Sequence, residues 1–164
     1  VSTFFSRAFS LFIIPFSYKK MLPRWHIILG LIFTILIWIF SPQISLFYIA
    51  LVFLASFLID FDHYLASVAS SKKILTLKES FQYHEKLLKQ EERDISKGIK
   101  RKSDFHLFHT MEFQALIGII GIFVVPFLYI FIGMLFHSML DFIWMLYKGR
   151  LHRREFFFFN WIRR

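Results

Sequence analysis

His137 and Asp141 stand four residues apart in a segment, Val124 to Tyr147, that is otherwise dominated by Phe, Ile, Leu and Met. On a helix, residues i and i+4 share a face, so the imidazole and the carboxylate stack where one ion can reach both. An Asp at the centre of a bilayer costs roughly 2.5–3.5 kcal/mol on insertion scales. A divalent cation shared with the histidine would offset that cost.

Other groups of the same kind stand at the ends of the remaining apolar runs. Asp60 and His63 are spaced i, i+3 with Asp62 between them, in "DFDH". His106 and His109 repeat that spacing, and Glu112 follows three residues later. His26 opens the first apolar run. Taken singly, these have ordinary explanations: a helix-end His is commonly a cap, and "DFDH" can be a polar helix terminus. "HSMLD" inside an apolar run is the hardest to excuse. Together, His26, Asp60, Asp62, His63, His106, His109, Glu112, His137 and Asp141 form a set of imidazoles and carboxylates without thiolates. That chemistry suits Zn²⁺ first, with Mn²⁺ or Fe as alternatives, and the number of acids has room for one to three ions. The chain has no cysteine, so disulfides, thiolate sites and Cys nucleophiles are excluded. His84, in a polar stretch, and His152, in a basic tail, read as surface residues.

The elements that must position these groups follow from composition. The 164 residues are 57% hydrophobic and 21% aromatic, above the apolar norm of roughly 45–50% for soluble domains. The apolar residues come in blocks and the charges in separate blocks. The expectation is an all-α, integral membrane helical bundle of about four transmembrane helices, a single domain over 1–164. Residues 1–20, with Phe4, Phe5, Ala8, Phe9 and Phe12 at helical spacing, read as an interfacial helix. Residues 24–69 read as a first hairpin, 26–40 and 44–59 turning at Pro42. Residues 70–104 hold ten Lys/Arg against six Asp/Glu. They read as a basic loop with a solvent-exposed helix over Leu77–Arg93 and a flexible stretch near Gly98. Residues 105–148 read as a second hairpin turning near "GIFVVP", the alternative being one long helix kinked at Pro126. The tail, 149–164, reads as an aromatic and basic interfacial anchor.

The net charge of +9 raises nucleic acid as a partner, but Lys and Arg cluster just outside the apolar runs. There they orient a chain and touch anionic lipid, so nucleic-acid binding is disfavoured. An even number of crossings puts Lys19, Lys20, Arg24, the 70–104 loop and Lys148 with Arg150, Arg153 and Arg154 on one side. The positive-inside rule makes that side, with both termini, cytoplasmic. All nine candidate ligands fall toward that side. Asp141 and His137 lie seven and eleven residues before Lys148, roughly 10 and 16 Å inward at helical rise.

The order His26, "DFDH" (60–63), "FHTMEFQALIG" (108–118) and "GMLFHSMLDFIW" (133–144) resembles the YdjM-like membrane-bound metal-dependent hydrolases, a family distantly related to zinc-dependent phospholipase C. The likeness runs over about residues 24–147. His109 with Thr110 stands where the family has His-Ser. The family's His-Arg, five and four residues upstream of that histidine, is Asp104-Phe105 here, with His106 alongside. The resemblance implies a hydrolase reaction and leaves the substrate open.

The expected function is hydrolysis of a phosphoester, of a lipid or lipid-linked substrate arriving laterally from the bilayer, with membrane lipid as partner. His and Asp ligands would hold one or more dications that activate water. Arg24 and Lys102 are candidate phosphate contacts, Trp25 would sit at headgroup level, and an acid left free of metal would be the general base. Two rival readings are a proton or metal-ion transporter using a His/Asp relay and a non-catalytic membrane scaffold.

Overall fold

A computed structural model of the chain describes residues 23–99, 102 and 104–163. The expected interfacial helix at 1–20, and the flanking Lys19, Lys20 and Arg101, lie outside the described residues. Every regular element among the described residues is helical.

Helix α1, Pro23–Phe40, opens on a proline, whose missing N–H costs nothing at a first helical position. The chain turns through Ser41–Ile44, with Pro42 unable to continue the helix. Ser45 then caps α2, Leu46–Leu58, by accepting a hydrogen bond from the Phe47 amide. Ile59 and Asp60 form a tightened turn, in which Asp60 N–H donates to Phe57 C=O and Asp62 N–H to Ile59 C=O, both at 3.1 Å. Helix α3, Phe61–Ser71, follows directly. The second hairpin arm is therefore longer than the 44–59 expected from apolarity, and the acids of "DFDH" sit at an internal joint rather than at a terminus. Joints with i→i+3 bonding often mark functional positions.

A left-handed Lys72 (φ 55) ends α3. Helix α4, Leu77–Ser96, starts from a capping box: Thr76 Oγ1 accepts from the Glu79 amide, and the Glu79 carboxylate accepts from the Thr76 amide. This is the polar helix expected over Leu77–Arg93, but it is docked, not free in solvent. Ser67 and Ser80 share a hydrogen bond of 2.8 Å, and Ser80 and Glu91 are buried.

After Lys102 and Asp104 comes a 3₁₀ turn, Leu107–His109, then α5, Met111–Phe123, capped by Thr110. Val124 is extended (φ −128, ψ 96), and α6, Val125–Tyr147, begins with Pro126 in its first turn. Residues 105–147 are thus two helices folded against each other rather than one kinked rod. Gly121 makes the tight reversal workable, since a Cβ there would sit 2.7 Å from Leu128 N. Beyond Gly149 (φ 65), a 3₁₀ turn at Leu151–Arg153 leads to a short α7, Phe158–Ile162. The tail folds back instead of standing off: Met111 N–H donates to Phe156 C=O at 2.9 Å, and Phe105 stacks on Trp161 with ring centres 4.2 Å apart.

Helix α6 is the hub, packed chiefly on α2 and α5 and also on α1. Helices α2 and α6 approach closely at Gly133, where a Cβ would lie 2.8 Å from Ala55 Cβ and 3.1 Å from Ser56 N. At the site end, Leu140, Trp144 and Met145 form the buried core, with Trp25, Leu29 and Phe156 packed on it. The rest of the bundle wears its apolar residues outside: Ile32, Ile35, Leu36 and Trp38 on α1, and Ile119 and Ile122 on α5, are exposed. Leu46–Ser71 and Val125–Tyr147 are long and apolar enough to cross a membrane, while Arg24–Phe40 and Met111–Phe123 are shorter apolar helices.

Gly133→Ala should drive a methyl into the α2 backbone. The expected loss is about 1–3 kcal/mol of stability, read as a lowered Tm in detergent; an unchanged Tm would show that the two helices do not meet there.

Candidate metal centre

The joint at Asp60, the 3₁₀ turn before α5, the start of α1 and the third turn from the end of α6 meet at one level of the bundle. Seven of the nine predicted ligands are buried or nearly so at that level: His26, Asp62, His106, His109, His137 and Asp141, with Asp60 at their centre. Among the described residues, three overlapping triplets have ligand atoms within 4.8 Å of one another. They are His26–Asp60–His137, Asp60–His63–His109 and His109–His137–Asp141.

The protons on two of these rings are fixed by their neighbours. His137 Nδ1 lies 2.8 Å from the Ser56 carbonyl, which can only accept, so Nδ1 carries the hydrogen. His109 Nδ1 lies 3.3 Å from Asp62 Oδ2 and donates to it in the same way. Each ring thus turns its Nε2 toward the other, and the two Nε2 atoms face each other at 3.3 Å. A shared proton or a cation held against both satisfies two ring nitrogens so placed.

Carboxylate oxygens complete the arrangement. Asp60 Oδ1 is 3.5 Å from His137 Nε2 and 4.0 Å from His109 Nε2. Asp141 Oδ2 is 3.6 and 3.8 Å from the same two atoms. A regular tetrahedron around Zn²⁺ with bonds of about 2.0–2.1 Å has edges of roughly 3.3–3.4 Å, so His109 Nε2, His137 Nε2 and Asp141 Oδ2, at 3.3, 3.6 and 3.8 Å from one another, are spaced as one face of such a site with small adjustment. His26 bridges the two acids from behind, Nδ1 at 3.1 Å from Asp60 Oδ2 and Nε2 at 3.3 Å from Asp141 Oδ1. His63 Nε2 is 3.4 Å from Asp60 Oδ1.

The remaining predicted residues have other duties. Asp62 supports His109: besides that ring it accepts the Phe108 amide at 2.6 Å, the kind of backing contact that would fix a metal-binding imidazole. His106 meets His63 edge to face with ring centres 4.2 Å apart, and its buried Nε2 has no hydrogen-bond partner. Burial holds His106 well below the ordinary imidazole range. His109 is held down likewise, by burial first and the nearby Arg154 second. Both rings stay neutral, as ligation or proton acceptance requires. Glu112 is not brought into the cluster, because its carboxylate accepts the Phe158 and Phe159 amides of the tail at 2.9 and 3.5 Å. Arg24 lies over the Trp25 ring at 6.0 Å, and Lys102 bonds Glu155 at 2.9 Å, so neither lines the cavity beside the cluster.

Three residues that sequence reasoning passed over do line it. Arg154, counted only as a basic flank, donates to Asp141 Oδ2 at 2.7 Å. His84 is half-buried rather than a surface residue, with Nε2 donating to His63 C=O at 2.8 Å. Glu91 is buried on the same face of α4. The spacing His84, Leu87, Leu88, Glu91 is i, i+3, i+4, i+7, a docking stripe with an acid in it, and that acid was the available signal.

Equilibrium dialysis followed by elemental analysis should find at least one tightly held first-row dication in the parent protein. His109→Ala and His137→Ala should lose it, Asp62→Asn should weaken it about 10–100-fold, and Glu112→Gln should retain it. A parent chain that keeps no dication would remove the site. No protein-family model, curated protein or solved structure matches the chain, which leaves donor geometry as the ground for its chemistry.

Proposed function

We propose that this chain is a membrane-embedded, metal-dependent hydrolase acting on a phosphoester, with a lipid or lipid-linked substrate reaching the site from the bilayer. The observation that carries the reading is the meeting of two Nε2 atoms, on His109 and His137, beside the carboxylates of Asp60 and Asp141. The four-crossing topology with basic segments on the cytoplasmic side belongs to this proposal. It is supported by two helices long enough to span and by apolar faces too extensive for water on the two shorter ones. The motif order shared with the YdjM-like hydrolases supports the same reaction class.

In this reading His109, His137, Asp60 and Asp141 hold the ion. A bound Zn²⁺, Mn²⁺ or Fe²⁺ supplies Lewis acidity toward water and phosphoryl oxygen. The chain's own groups do the rest. Asp62 and the Ser56 carbonyl lock the two ring orientations. Arg154 holds Asp141 in place from outside. His106, which lines the cavity and whose buried Nε2 has no hydrogen-bond partner, is the group to accept a proton there. The leucines and Trp144 of the wall exclude bulk water, which strengthens each charge interaction inside.

Hydrolysis should be measured on the purified chain in nanodiscs with a panel of phosphomonoester and phosphodiester lipids. Activity should vanish on chelation and return with Zn²⁺ or Mn²⁺. His106→Gln should lower kcat about 10²–10⁴-fold while leaving metal content intact. A metal-loaded protein inert toward the whole panel would end the hydrolase proposal. For topology, a reporter fused after Arg164 should read cytoplasmic, and an exoplasmic reading would overturn the proposed arrangement of an even number of crossings with both ends cytoplasmic.

A further inference from the structure

The cavity against the ligand cluster holds about 140 Å³, and three guanidinium groups stand in its wall: Arg150, Arg153 and Arg154. They reach it because α6 stops at Tyr147, Gly149 adopts φ 65 and the chain doubles back through the turn at Leu151–Arg153. Arg154 is engaged with Asp141. Arg150 and Arg153 converge instead on one carboxylate, Glu91 of α4. Arg150 Nε lies 3.5 Å from Oε1, and Arg153 Nη1 is paired with Oε2. Glu91 is 6% exposed, and both its oxygens are buried without a partner in hydrogen-bond geometry. Charge holds it there more than geometry does.

Helix α4 is secured mainly by its first half. Its principal packing is on α3, through Ser80 on Ser67 and His84 on the His63 carbonyl, and Tyr83 donates to Asp104 at 2.9 Å. Glu91 lies about two turns beyond His84, also in the cavity wall. With a dication between Asp60 and Asp141, the wall sets three guanidiniums and that ion against four carboxylates, Asp60, Glu91, Asp104 and Asp141. With the ion bound the balance is positive, and with or without it Arg150 and Arg153 stand together on a single two-oxygen anion.

We propose that Arg150 and Arg153 form a phosphoryl-binding seat, and that Glu91 is its built-in occupant. A phosphoryl group carries more charge than a carboxylate and offers three oxygens to the arginine forks. It displaces Glu91, and the second half of α4 swings away as a lid. The inference rests on the hydrolase reading for what the seated phosphoryl group is presented to; the seat itself does not depend on turnover.

Two probes distinguish the sources of such a group: inorganic phosphate in solution, and phosphatidic acid doped into phosphatidylcholine nanodiscs carrying the full chain. Glu91→Gln should bind at least one probe about tenfold tighter, and Arg153→Ala about tenfold weaker or worse. Arg153→Lys should fall between them, with helical content unchanged. Because the chain has no cysteine, spin labels at Leu36→Cys and Ile95→Cys, both exposed positions, should report a longer, broader distance when the probe is added. Glu91→Gln binding both probes no tighter than the parent would overturn the seat. So would tightening that survives in the Arg150→Ala/Arg153→Ala background. Metal content read on the same samples separates the two proposals: a chain that takes up no dication yet binds phosphate through these arginines keeps the seat and loses the hydrolase.

Discussion

Two imidazoles meet nose to nose among buried carboxylates. His109 turns its Nδ1 to Asp62 and His137 turns its Nδ1 to a backbone carbonyl, so that their Nε2 atoms face each other at 3.3 Å. With Asp60 and Asp141 alongside, this cluster calls for positive charge, as a proton or a cation. The joint at Asp60, the 3₁₀ turn that carries His109 and the internal placement of His137 bring these atoms together. Sites that violate local rules in this way are where function is expected to lie.

The surroundings answer the charge from several directions. Arg154 and His26 each touch Asp141, His26 and His63 each touch Asp60, and Glu91 balances two further arginines. A chain of groups this tightly coupled is costly to break singly, since removing one partner strands the other in a low dielectric. The apolar bundle beneath contributes rigidity. Gln114 of α5 bonds Ser138 of α6 at 2.5 Å, and Thr110 bonds the Leu107 carbonyl at 2.7 Å, so the turn holding His109 is tied to both helices.

Much of this was legible in the residues because it was chemically out of place. An Asp four residues after a His in an apolar run, and two acids beside a His where the chain should be greasy, announce themselves without any knowledge of the fold. The division of 105–147 into two helices followed from the side on which Arg and Lys fall. What could not be read depended on reversals distant in sequence. Glu112 has the right type and spacing for a ligand, yet a tail more than forty residues later supplies amides that its carboxylate caps. Arg154 is indistinguishable from a topogenic flank until Gly149 turns the chain back on itself. His84 looked solvated because a helix's docking face is set by what it docks against, and only the acid within its apolar stripe hinted that it docks at all.

Ser56 has a geometric role beyond its carbonyl. Gly30 of α1 and Gly133 of α6 both close in on it, so that three helices cross at one residue, and the same residue holds His137. A crossing point is a fulcrum: when the helices scissor to follow a thicker or thinner surrounding, their far ends sweep widely while atoms at the pivot hardly shift. The Ser56 carbonyl that orients His137 thus sits where a change in crossing angle would displace it least.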